Sequence, residues 1–130
     1  MKFEMVITIR NGNRLEIDVE HNELRIYDYS NFSFYAHIST PHNKEEHLIH
    51  TIRIDDNPHW ENLIEYLDTQ KWGEFYTEEV PSAIETWGLI FENGPAHITA
   101  GGRSSFPGGF KKMIRLLNDV LAPSHLKIPI

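Results

Sequence analysis

The sequence predicts an α+β fold, an antiparallel β-sheet with two amphipathic helices packed on one face, and three observations carry that reading. Phe3, Met5, Ile7 and Ile9, then Leu15, Ile17 and Val19, alternate with mostly polar neighbours, the period of two expected of half-buried strands. Trp60, Leu63, Ile64 and Leu67 recur at the spacing of a helix that buries one side. After a further pair of strands, Phe110, Met113, Ile114, Leu117, Val120 and Leu121 restore the helical period. A chain of 130 residues has the length of one domain, and residues 1–130 are read as one.

The first two strands are joined by Asn11-Gly12, residues suited to a tight primed turn because both central positions take positive φ. A third strand is expected at Leu24 to Tyr27, a fourth at Phe32 to Ile38 and a fifth at Leu48 to Ile54. Residues 40–47 carry no periodic apolar signal and read as a loop. Asn57-Pro58 marks a helix start, since the Asn side chain can cap free backbone N–H groups while Pro tolerates the first helical position. The helix ends between Thr69 and Gly73, leaving Trp72, Phe75 and Tyr76 as aromatic contacts in the connection. Ile84 to Phe91 and Ala96 to Ala100 then read as strands around an Asn93-Gly94-Pro95 turn. Gly101 to Gly109 reads as an irregular link, Pro123 ends the second helix, and the apolar tail Leu126 to Ile130 is expected to pack back on the domain.

Composition removes several function classes. There is no cysteine, hence no disulfide, thiolate nucleophile, iron-sulfur site or thiolate zinc site. Glu4 interrupts the N-terminal apolar run, and no stretch approaches the ~18 apolar residues of a membrane span, so a cytoplasmic protein is expected. Twelve basic against 19 acidic residues give a formal charge of −7, which argues against binding nucleic acid through its phosphates. The charge is uneven: Glu61, Glu65, Asp68, Glu74, Glu78 and Glu79 stand against Lys71 alone over residues 61–79. The last thirty residues carry Arg103, Lys111, Lys112, Arg115 and Lys127 against Asp119 alone.

Trp87-Gly88-Leu89-Ile90-Phe91-Glu92-Asn93-Gly94, then Gly101-Gly102, then Phe106-Pro107-Gly108-Gly109-Phe110 resembles a pattern in a family of small uncharacterised bacterial proteins. There a Trp-containing strand and a Gly-turned hairpin lead through a Gly-rich link to an aromatic-Pro helix start. Phe106 stands where such proteins commonly have Tyr, and Ser104 where Asn is frequent. The resemblance implies the architecture of this region and no reaction.

Several candidate sites follow. Gly102, Arg103, Ser104, Ser105 and Lys111, with the start of the second helix, could hold a phosphate, a carboxylate or an acidic partner group. The simpler account of the link is geometric, with Phe106 as an apolar peg and Pro107 and the glycines starting the helix; neither nucleotide-loop spacing is present. His37, His42, His47 and His50 are the histidines closest in sequence, yet no metal-binding spacing joins them, and no metal or cofactor is expected. Neither a pair of carboxylates with fixed separation nor a G-x-S-x-G elbow supports an enzyme. Tyr27 and Tyr35 could face outward as a binding surface, although core positions suit most aromatics of that region. The sequence therefore points to a small acidic domain that binds a protein with a basic surface, of interaction, inhibitor or immunity type, with Glu61, Glu65, Asp68, Glu74, Glu78 and Glu79 as its acidic face. The alternative is a small-ligand or anion-binding protein with undetected enzymatic activity. A deep apolar pocket with convergent polar groups would favour the alternative, and an open surface bearing an exposed aromatic beside acids would favour protein binding.

Overall fold

A computed structural model describes residues 1–10, 12–29 and 44–130. Among them, strands β1 (Lys2–Ile9), β2 (Arg14–Glu20), β3 (Glu23–Asp28), β4 (Leu48–Arg53), β5 (Phe75–Tyr76), β6 (Ile84–Asn93) and β7 (Ala96–Arg103) join one sheet in the order β4-β3-β2-β1-β6-β7-β5. Every neighbouring pair is antiparallel except β5 with β7. Helices α1 (Pro58–Asp68) and α2 (Phe110–Leu121) share the apolar face of that sheet. The α+β architecture expected from the sequence is present, as one sheet rather than two smaller ones.

Register explains why the core lies on one side. Met5 stands opposite Ile17 on β2 and Leu89 on β6, Ile17 opposite Ile26, and Leu89 opposite Ala100. Directly opposed residues share a face, so Phe3, Met5, Ile7, Ile17, Ile26, Leu89 and Phe91 form one continuous buried surface. Trp60, Leu63 and Leu67 of α1 and the six apolar residues of α2 close it, and the Trp60 ring meets Phe3 edge-on at 5.4 Å. Ile128 of the tail is buried in the same core, where Asn118 both accepts from its N–H at 2.8 Å and donates to its carbonyl at 3.0 Å.

The turns follow the local chemistry. Gly12 has φ 95° and Gly94 has φ 57°, conformations that glycine adopts without steric penalty; Asn11 lies outside the described residues. Between β2 and β3 the positive φ falls on His21 and Asn22. Asn57 caps α1, its side-chain oxygen accepting from the N–H of His59 at 3.1 Å and of Trp60 at 3.2 Å. The strand expected at Phe32 to Ile38 and most of the loop before Lys44 lie outside the described residues. Lys44–His47 forms a short 3-10 turn over the polar face of β2 and β3, where Lys44 donates to Asp18 at 2.6 Å and Arg25 to Glu45 at 2.7 Å. Tyr27 is buried beneath these groups rather than outward-facing; its hydroxyl accepts from Arg25 Nε at 2.9 Å and Lys44 Nζ stands 4.4 Å from its ring centre.

Two elements differ from the sequence reading. β7 runs on through Gly101 and Gly102 to Arg103, because these glycines sit where the sheet admits no side chain. A β-carbon on Gly101 would stand 3.0 Å from the Trp87 carbonyl oxygen, and one on Gly102 would press into the Ser105 carbonyl oxygen. Phe75 and Tyr76, expected as contacts within a connection, instead form an edge strand parallel to β7. Among the described residues no helix is long and apolar enough to cross a membrane.

Candidate interaction groove at the edge of the sheet

Trp87 organises the end of the molecule where β5, β7 and α2 meet. Its ring centre lies 4.7 Å from Phe110, 6.2 Å from Tyr76, 6.1 Å from Trp72 and 6.5 Å from Phe106. Its indole N–H donates to the Ser105 carbonyl at 2.8 Å, which ties the link after β7 to the middle of β6. Phe106 stacks on Phe110 at 4.7 Å and stays partly exposed. It is the apolar peg the sequence suggested, with one side open to solvent.

The link itself is held by its backbone. The N–H of Ser104 donates to the Glu85 carbonyl at 2.7 Å, and the Ser104 carbonyl accepts from Val80 at 2.7 Å. Ser104 takes a φ of 48°, and its buried hydroxyl accepts from the Arg10 guanidinium, whose Nε donates to the Ser82 carbonyl at 2.6 Å. Ser105 is buried. Gly109 precedes α2 at φ 88°, with the Tyr66 hydroxyl donating to its carbonyl at 2.9 Å.

The anion candidates therefore occupy different surroundings. Gly102 pairs with Trp87 on the helix-bearing face, whereas Arg103 pairs with Thr86 and so projects to the opposite face, its guanidinium 3.8 Å from Glu85. Lys111, in the first turn of α2, is exposed and lines an open groove. Arg103 is not among the residues lining that groove.

The groove encloses about 640 Å³ between Phe75, Tyr76, Glu78 and Val80 on one side and Phe106, Pro107, Phe110 and Lys111 on the other. Phe75 is 67% exposed and Val80 43% exposed, which leaves apolar surface in water at its rim. The acidic candidates separate into two groups. Glu74, Glu78 and Glu79 run beside β5, while Glu61, Glu65 and Asp68 follow one side of α1 and line a smaller hollow with Met1, Ile64 and Asn93. Asp68 in that second group accepts from Asn93 Nδ2 at 2.9 and 3.1 Å. His47 stacks on Tyr29 at 4.3 Å and His50 is exposed on β4, while His37 and His42 lie outside the described residues. Among the described residues no three metal-ligating side chains come together.

No protein-family model, curated protein or solved structure matches this chain significantly. Phe75 was expected from the sequence as an aromatic contact within a connection, not as an exposed residue of a groove, and Val80 was not singled out. One signal was available, an aromatic pair set among Glu74, Glu78 and Glu79 without an apolar period of its own.

Proposed function

We propose that this domain binds a partner protein through the groove beside β5. The observation that carries the reading is the largely exposed Phe75 on the outermost strand, flanked by Glu74, Glu78 and Glu79 and facing an open aromatic groove. Large aromatic side chains dominate interface energies when a partner covers them, and the acids around Phe75 suit a basic partner. An open groove of this kind holds a protein segment better than it encloses a small substrate, which needs most of its surface buried. This reading draws the partner surface toward Glu74, Glu78 and Glu79, with Glu61, Glu65 and Asp68 as a separate acidic face on α1.

The test compares pull-downs by the wild-type protein and Phe75→Ser from lysate of the source organism at low and high salt. The expected result is a partner retained by the wild type, diminished by salt, and lost with Phe75→Ser while the variant's denaturation midpoint is unchanged. A partner recovered equally by both proteins would overturn the assignment of this groove. Anion binding is the second reading, narrowed to Ser105 and Lys111, which line the groove, since Arg103 projects to the opposite face and the Ser104 hydroxyl is taken by Arg10. It draws on the exposed Lys111 at the groove wall, and a phosphate titration that perturbs the Lys111 amide is its measurement.

A further inference from the structure

The backbone of β5 specifies how a partner can lie in this groove. The Glu74 carbonyl accepts from the N–H of Gly101 at 3.0 Å, and Phe75 and Tyr76 stand opposite Gly101 and Gly102 of β7. In a parallel pair the backbone groups of successive residues aim at opposite edges. Glu74 and Tyr76 address β7, so the N–H and carbonyl of Phe75 address the outer edge. β5 is the last strand in the order, and among the described residues no strand pairs with that edge.

The side chains agree. Tyr76 lies on the face that carries Trp87 and the helices, with which its ring stacks, and Phe75 belongs to the opposite face. Two residues on opposite faces of a strand both line one groove only where that groove runs along the strand's edge. β5 is two residues long, so Phe75 supplies the backbone pair that an added strand would meet first, and the chain beyond it returns to the link at Val80, whose N–H donates to the Ser104 carbonyl at 2.7 Å. Phe106, Pro107 and Phe110 form the opposing apolar wall.

Charge on the β5 wall selects the occupant, with Lys111 as the cation of the opposite wall. From Trp72 to Gly102 the chain carries no Lys or Arg and five glutamates, Glu74, Glu78, Glu79, Glu85 and Glu92. A second copy laid edge to edge would set Glu74, Glu78 and Glu79 against themselves, an arrangement that disfavours pairing. Resting on the protein-binding reading above, we infer that the groove takes an extended segment of a partner protein that bears Lys or Arg, adds to the outer edge of β5 as a further strand, and seats an apolar side chain between Phe75 and Phe106. Main-chain hydrogen bonds supply affinity in this mode, and alternate side chains supply specificity.

A random peptide library selected on the intact protein, with Phe75→Ser as the counter-selection, tests the inference. The selected peptides are expected to be rich in Lys or Arg alternating with aromatic or aliphatic residues. For the tightest peptide, methylating alternate backbone nitrogens in one register should weaken binding about tenfold or more, as loss of hydrogen bonds to a strand edge requires, while the register shifted by one residue is tolerated. Glu78→Lys and Glu79→Lys should each weaken it severalfold, and the Phe75 amide should gain protection from hydrogen exchange. Selected peptides without basic residues, or tolerance of both methylation registers, would overturn strand addition. Loss of those peptides with Phe75→Ser would then leave the groove itself standing. Selection that yields nothing preferring the wild type over Phe75→Ser would overturn both.

Discussion

At Gly102 the chain has no room for a β-carbon: one placed there would press into the Ser105 carbonyl oxygen and stand 3.0 Å from Trp87 Nε1 and 3.2 Å from the Tyr76 carbonyl oxygen. Two of those neighbours are backbone and cannot rotate away. Gly102→Ala should therefore cost about 1–3 kcal/mol of stability, the usual range for overpacking, in chemical denaturation. Gly88→Ala, where nothing lies within 4 Å of the added carbon, should leave the midpoint unchanged or raise it. Tyr29 gives the pH-dependent counterpart. Burial, and then the nearby Glu16 carboxylate, pushes its phenol up to about 12, so the folded state favours the protonated form. Its contribution is whole below the ordinary value of about 10 and is lost as pH rises through about 12. An ultraviolet titration comparing the wild type with Tyr29→Phe should show the missing phenol to be a late one; a difference centred at its ordinary value would contradict the buried environment.

Among the elements, those with a long period were legible and those defined by a neighbour were not. Alternation in residues 3–9 and 15–19 located β1 and β2, and the Trp60 and Phe110 stripes located α1 and α2 with their buried sides. β5 has two residues, too few for any period, and exists because β7 offers it a parallel edge. Gly101 and Gly102 read as breakers for the same kind of reason: what makes them strand residues is their pairing with Gly88 and Trp87 of β6, which no local pattern announces. The candidate groove was legible in part. Lys111, Phe106 and the glutamates of residues 74–79 were singled out, but the juxtaposition that makes them walls of one groove arises only in the folded sheet. The two aromatic residues at the start of α2 separate packing from recognition. Phe110 is buried against Trp87, Trp72 and Phe106, and Phe110→Ala should cost about 3–5 kcal/mol. Phe106, partly exposed at the groove, should cost less on truncation while weakening any peptide bound there. Equal losses of stability at the two sites would show that Phe106 serves the core alone.

For the whole molecule, the distribution of charge complements the distribution of edges. The middle of the sheet is closed by pairing on both sides, and the acidic run without Lys or Arg from Trp72 to Gly102 contains the strand left at one margin. Such a margin is soluble and resists self-pairing, yet stays open to a chain of opposite charge. The position of β1 has another consequence. It is the earliest strand in the chain and lies at the centre of the sheet, with Met5 between Ile17 and Leu89. On a ribosome, β2 follows it within moments, but the partner for its other side, Ile84–Asn93, emerges only after residues 21–83 have been made. At about 5–20 residues per second, the hairpin spends several seconds with an unmatched margin and an uncovered apolar face. In that interval the nascent hairpin is exposed to aggregation, and the exposure ends only when β6 and the helix Phe110–Leu121 have been made.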